Sequence, residues 1–135
     1  MDPPLLRKVD AVTVAVPDLD AGLAFYGGVL GHPLLWRNDD IGQAAVTLRE
    51  GDTEIVLTTA HGYEPNWLVD SADDAAAAVA AGGGRIISPP ADIPVGRVAV
   101  VADPFGNVLV LVDLSTGRYR TGADGTVTGV VADDA

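Results

Sequence analysis

An order of elements, β-α-β-β-β, is written twice into this chain, and the repeat restricts the fold more than any single motif does. The first copy opens with KVDAVTVAV at Lys8 to Val16. Its alternation puts Val12, Val14 and Val16 on one face and Ala11, Thr13 and Ala15 on the other. The larger residues should meet a helix, which leaves the small ones facing something else. Pro17-Asp18 ends the strand, and Asp18 suits the N-cap of a helix carrying Leu19, Leu23, Phe25, Tyr26 and Leu30. Gly27-Gly28 weakens the last turn of that helix and Gly31 is its stop. Strands are predicted over Pro33 to Arg37, Gln43 to Arg49 and Thr53 to Thr59, separated by Asn38-Asp39-Asp40 and Glu50-Gly51-Asp52.

The second copy follows a polar loop at His61 to Pro65. Asn66 to Asp70 is strand-like, and Ser71-Ala72-Asp73-Asp74 has the capping-box pattern that opens an alanine-rich helix over Ala72 to Ala81. Gly82-Gly83-Gly84 stops it; after a helix this is a terminator and not a phosphate cradle. Arg85 to Ser88 reads as a strand and Pro89 to Pro94 as a loop. The last two strands flank Asp103-Pro104-Phe105-Gly106-Asn107, in which Pro104 presets φ for the second position of a type I turn and Gly106 suits the fourth. Both strands are nearly continuous runs of valine and leucine, so both should be buried. Ser115 to Ala135 is polar and glycine-rich, a loosely held tail with one short strand at Thr126 to Val131.

At 135 residues the chain fits a single domain, with modules at 8–60 and 64–114 and the tail at 115–135. It contains no cysteine, which excludes disulfides and thiolate metal sites. The N-terminal residues lack the pattern of a signal peptide, and no run approaches the roughly 18 apolar residues of a membrane span, so a soluble cytoplasmic protein is expected. A net charge of −11 repels nucleic acid and is compatible with a cationic small ligand, although solubility alone accounts for it. Serine-nucleophile, phosphate-loop, HExxH and dinucleotide patterns are missing from the sequence.

The paired modules, the Val16-Pro17-Asp18-Leu19-Asp20 segment, Phe25-Tyr26, Leu30-Gly31 and the Asp103 to Asn107 turn together resemble the vicinal oxygen chelate superfamily of glyoxalases, extradiol dioxygenases, fosfomycin-modifying enzymes and bleomycin-resistance proteins. The resemblance spans residues 8 to 114. It implies an α+β fold in which two βαβββ modules form a U-shaped cleft, lined by the sheets with the helices outside. It also implies a homodimer whose clefts are completed at the subunit interface.

Catalytic members of that family hold a divalent metal with side chains from four strands. Carried onto this chain, the ligand positions are Ala11, Val56, a residue near Trp67 within about two positions, and Val110. None can coordinate a divalent ion. His32 and His61 lie elsewhere, and no metal, cofactor or catalytic residue is assigned. An apolar cleft reads as a binding site for an apolar or aromatic compound. Trp67 is expected as its stacking surface, Trp36 as an opposing wall, Val56 and Val110 as floor, and Phe105, Tyr63 and Tyr119 as rim. Trp36 is equally at home in a core, and Phe105 under its own turn. The leading expectation is a metal-free protein that sequesters a bulky, partly aromatic natural product or antibiotic. The alternative is a lyase or isomerase of the same superfamily, with Glu54, which flanks Val56 as Thr58 does, as general base.

Overall fold

The computed structural model describes residues 3–132, and its contacts divide them into two units. The first comprises Asp10–Pro65 and Tyr119–Gly129. The second takes Asn66–Arg118 with the flanking residues 3–9 and 130–132.

In the first unit the strands are β1 (Lys8–Ala15), β2 (Leu34–Asn38), β3 (Gln43–Thr47) and β4 (Glu54–Thr58), in the spatial order β2-β3-β4-β1. β1 runs parallel to β4, with Val12 opposite Ile55 and Thr13 opposite Val56, and the other pairs are antiparallel. The helix is shorter than the apolar spacing predicts. Asp18 caps it by accepting from Ala21 N at 2.7 Å, but α1 spans only Leu19–Leu23 before the backbone widens into a π-helical turn over Ala24–Val29. Gly27 and Gly28 fall within that turn, where their low helix propensity offers little resistance to the wider winding. Asp39–Ile41 is a single 3-10 turn capped by the Asn38 side chain, which accepts from Asp40 N.

The predicted faces of β1 hold. Val14 and Val16 pack with Leu19, Ala44 and Leu57 beneath the helix, while Ala11 belongs to a cluster on the opposite face.

The second unit repeats this pattern with β5 (Glu64–Leu68), α2 (Ala72–Ala81), β6 (Arg85–Ile93), β7 (Gly96–Ala102) and β8 (Val108–Asp113), ordered β5-β8-β7-β6. β5 is parallel to β8, and β7 is antiparallel to both β6 and β8. Ser71 caps α2 by accepting from Asp74 N at 3.1 Å, and Ala72, Ala75 and Ala76 bury the helix against Ala99, Val101 and Leu111. The expected loop at Pro89 to Pro94 is instead mostly strand. β6 continues to Ile93 through two register shifts, and such irregularities are how an edge strand accommodates Pro89 and Pro90.

The chain after β8 is also more ordered than its composition suggests. β9 (Arg118–Thr121) and β10 (Val127–Val131) pair as a ribbon, where only one strand was predicted.

Candidate functional site

Each sheet has a face turned away from its helix, and the sequence places the candidate site there. In the first unit that face carries Ala11, Trp36, Ala45 and Val56 as a buried cluster. Register explains the grouping, because Trp36 lies opposite Ala45 and Ala45 opposite Val56 across adjacent strands. Glu54 and Thr58 share the face by their period-two spacing from Val56. The indole nitrogen of Trp36 donates to Glu54 Oε1 at 2.9 Å. On β1, Thr13 Oγ1 donates to the carbonyl oxygens of Gly62 and Glu64 at 2.7 and 3.2 Å, fixing the loop that holds Tyr63.

This cluster does not face an open groove. Tyr119 and Val127, from the β9–β10 ribbon, pack directly on it, and the rings of Trp36 and Tyr119 lie 4.6 Å apart between centroids at 52°. Burial pushes the Tyr119 phenol above its ordinary pKa; the nearby Glu54 charge acts in the same direction, and a hydrogen bond with Asn38 opposes both. Tyr119, expected as a rim residue, instead packs on the Trp36 cluster as its cover. The tail composition hid this, since one tyrosine and one valine among glycines and polar residues give no apolar period.

In the second unit the corresponding face carries Asn66 opposite Val110, and Leu68 opposite Val112. Val110 is buried at 6% exposure. Trp67 is a correction. It lies opposite Leu111 and packs with Leu6, Val79 and Leu109 against the helix-side core, so its ring stands on the wrong face to stack on a ligand beside Val110. Its Nε1 is buried without a hydrogen-bond partner. The reason for the displacement is local. Glu64-Pro65-Asn66-Trp67-Leu68 has no clean alternation, so its phase could not be read from apolar residues alone, and the facing residue is Asn66, one position away. Phe105 and Tyr63 are 87% and 80% exposed, and neither is brought onto the clusters described.

At the positions the family resemblance assigns to metal ligands, the first unit presents Ala11 and Val56 on its helix-free face and the second presents Asn66 and Val110 on its own. One amide oxygen is the only side-chain donor in that set, and a hard divalent cation needs several oxygens or imidazoles. Among the described residues no group of three or more His, Cys, Asp or Glu side chains could hold a metal ion. The residues do not fit the metal that the fold family uses. His32, for its part, places Nδ1 3.0 Å from the carbonyl oxygen of Thr47, a strand-edge contact.

Comparison with known proteins agrees with the architecture. The family model for the glyoxalase/bleomycin resistance protein/dioxygenase superfamily matches residues 8–111. Among curated proteins no relative matches. Methylmalonyl-CoA epimerase from Mycobacterium tuberculosis superposes with a TM-score of 0.65 at 21% identity, over 84% of this chain and 91% of that one. A variant of the Streptomyces coelicolor epimerase, in complex with 2-nitronate-propionyl-CoA, gives 0.62 at 20% identity over 80% and 97%. A hypothetical protein from Bacillus halodurans C-125 gives 0.62 at 19% identity over 85% and 97%. No helix among the described residues is long and apolar enough to cross a membrane.

Proposed function

Because the chain belongs to the glyoxalase/bleomycin resistance protein/dioxygenase superfamily, we propose that it handles a small organic molecule with its own side chains and without a resident divalent cation. Within that proposal, a proton-moving lyase or isomerase reaction is better supported than sequestration of an antibiotic. The observation that carries it is Glu54, a carboxylate on the helix-free face of the first unit, held by the Trp36 indole beside the non-donor residues Ala11 and Val56. A carboxylate can take a proton from a carbon beside a carbonyl and return it, and the Trp36 indole helps to orient this one. The solved relatives described as methylmalonyl-CoA epimerases lend the same support, since each is an enzyme acting on a small molecule. We further infer a homodimer with no nucleic-acid partner, in keeping with the net charge of −11.

Deuterium incorporation tests the reading. A panel of carbonyl compounds, 2-substituted acyl thioesters among them, is incubated with the protein in D2O containing EDTA and read by mass spectrometry. We expect exchange at the carbon beside the carbonyl for at least one compound, loss of that exchange in Glu54→Gln, and indifference to EDTA. No exchange with any compound, or exchange that EDTA abolishes, contradicts the proposal.

The second reading, binding of an aromatic compound without turnover, is favoured by the apolar residues at Ala11, Val56 and Val110. A thermal-shift screen against polycyclic compounds separates it, since a ligand held only by the native state raises the melting temperature even where nothing is exchanged.

A further inference from the structure

The residues over the Trp36 cluster are an unusual cover. Tyr119–Gly129 is cross-linked mainly to itself. Gly122 N donates to Thr126 O at 2.9 Å, Gly125 N to Gly122 O at 3.1 Å, Thr126 N to Asp124 Oδ1 at 3.0 Å, and Thr128 Oγ1 to Arg120 O at 3.2 Å. The segment meets the sheet through Tyr119 and Val127, packed on the Trp36 cluster, and through Arg37 and Asn38. Arg37 N donates to Gly125 O at 2.9 Å, Arg37 and Thr126 form one isolated bridge, and Tyr119 meets Asn38. Arg120, Thr121, Ala123, Asp124, Thr126 and Thr128 are all exposed. A segment with internal hydrogen bonds and few buried contacts to the rest can open as a body without unfolding what lies beneath it.

What it covers is specific. Tyr119 supplies one ring against the Trp36 indole, and a hydroxyl reached by the Asn38 side chain and lying within the field of Glu54. Beneath it Ala45 is 0%, Ala11 6% and Val56 7% exposed, a floor of small or branched side chains that the Tyr119 ring and Val127 cover.

We propose that residues 119–129 are a displaceable plug, in which Tyr119 fills from within the chain a site on the first unit for a planar aromatic compound bearing a hydroxyl. The inference rests on the reading that the helix-free face around Glu54 is the functional site, and adds the ligand class and the step that admits it. The hairpin lifts, the ligand ring takes the place of Tyr119 on Trp36, its hydroxyl meets Asn38, and Glu54 comes within reach of the bound molecule. The intact chain binds weakly in proportion to the small fraction lifted, and emptying the Tyr119 position removes that penalty.

The test uses the full chain with Trp67→Phe as background, which leaves Trp36 as the fluorescent reporter. The probe is p-cresol, the side chain of tyrosine as a free molecule. In Tyr119→Ala, p-cresol quenches or shifts Trp36 emission and raises the melting temperature, with affinity at least about tenfold tighter than in the parent. A folded Tyr119→Ala that gains no affinity overturns the proposal. Amide hydrogen exchange of the parent protein decides independently, and covers the case in which the substitution prevents folding. Residues 119–129 exchange faster than β3 and β4, and faster still with p-cresol present; exchange of the hairpin only together with those strands overturns the plug. Neither measurement requires turnover, so the plug and the proton-transfer reading fail separately.

Discussion

The Trp36 indole reaches Glu54 across an intervening strand. Trp36 lies on β2 and Glu54 on β4, with β3 between them, yet Nε1 and Oε1 are 2.9 Å apart. Neighbouring strands are spaced about 4.8 Å apart, so the two side chains together span roughly twice that distance over β3. Ala45 makes this possible. It lies opposite both Trp36 and Val56, and its side chain ends at Cβ. Replacing Ala45, which is fully buried, by leucine should fill that space, break the Trp36–Glu54 hydrogen bond and cost about 1–3 kcal/mol through overpacking. Urea unfolding measures the loss, and a neutral Ala45→Leu contradicts the crossing.

Removing the donor itself tests the same hydrogen bond without adding volume. Trp36→Phe keeps a ring on Tyr119 but deletes the N–H, and a hydrogen bond to a charged acceptor contributes about 1.5–3 kcal/mol. We expect a loss in that range. Equal stability of the two proteins would mean that solvent satisfies Glu54 as well as the indole does.

Asp113 ties the second unit together through its carboxylate. It is 2% exposed, and it accepts from Ala72 N at 2.7 Å, Arg97 N at 3.0 Å, and Ser115 N and Oγ at 3.2 and 2.7 Å. Burial alone would raise its pKa, but the hydrogen bonds from Ala72, Ser115 and Arg97 outweigh burial and hold it below the ordinary value. A carboxylate depressed in the folded state stabilises the fold fully above the unfolded value of about 3.9, and that contribution is lost as pH falls towards the folded value. The prediction is a stability that declines below about pH 4, with a shallower decline in Asp113→Asn, which should itself cost about 2–3 kcal/mol at neutral pH. An unchanged acid profile in the variant would remove Asp113 from that role.

The turn before β8 offers a clean backbone test. Gly106 has φ +91°, and a Cβ built there meets nothing within 4 Å. Gly106→Ala should therefore cost about 1 kcal/mol from backbone strain alone. A much larger loss would indicate a steric contact that the structure does not contain.

How far these arrangements could be read in the sequence depended on local pattern. In β1 every second residue is small, so the faces of Ala11 and Val14 followed from the pleat alone. The capping residues Asp18 and Ser71 carry their signal in their own side chains, and both helix starts were readable. The face of Trp67 is not legible in the sequence, because β5, with Pro65 and one charged residue in five, has no alternation to fix its phase. The cover of the Trp36 cluster was the least legible feature. Tyr119 and Trp36 are far apart in the chain, and only tertiary packing brings them together. Mixed glycine and polar residues at 115–135 suggest a loose tail, whereas the ribbon is ordered by its own turn and by the packing of Tyr119 and Val127 on the Trp36 cluster.

We propose that this member of the superfamily works without a divalent cation. That is tested most directly by measuring metal content and metal affinity together: elemental analysis of protein purified without chelators, followed by calorimetric titration with Mn2+, Ni2+ and Zn2+. Because no group of three or more His, Cys, Asp or Glu side chains among the described residues could hold a metal ion, we expect no stoichiometric metal and no saturable binding at micromolar concentrations. One tightly bound divalent ion per chain, lost on substitution of Glu54 or Asn66, would contradict it.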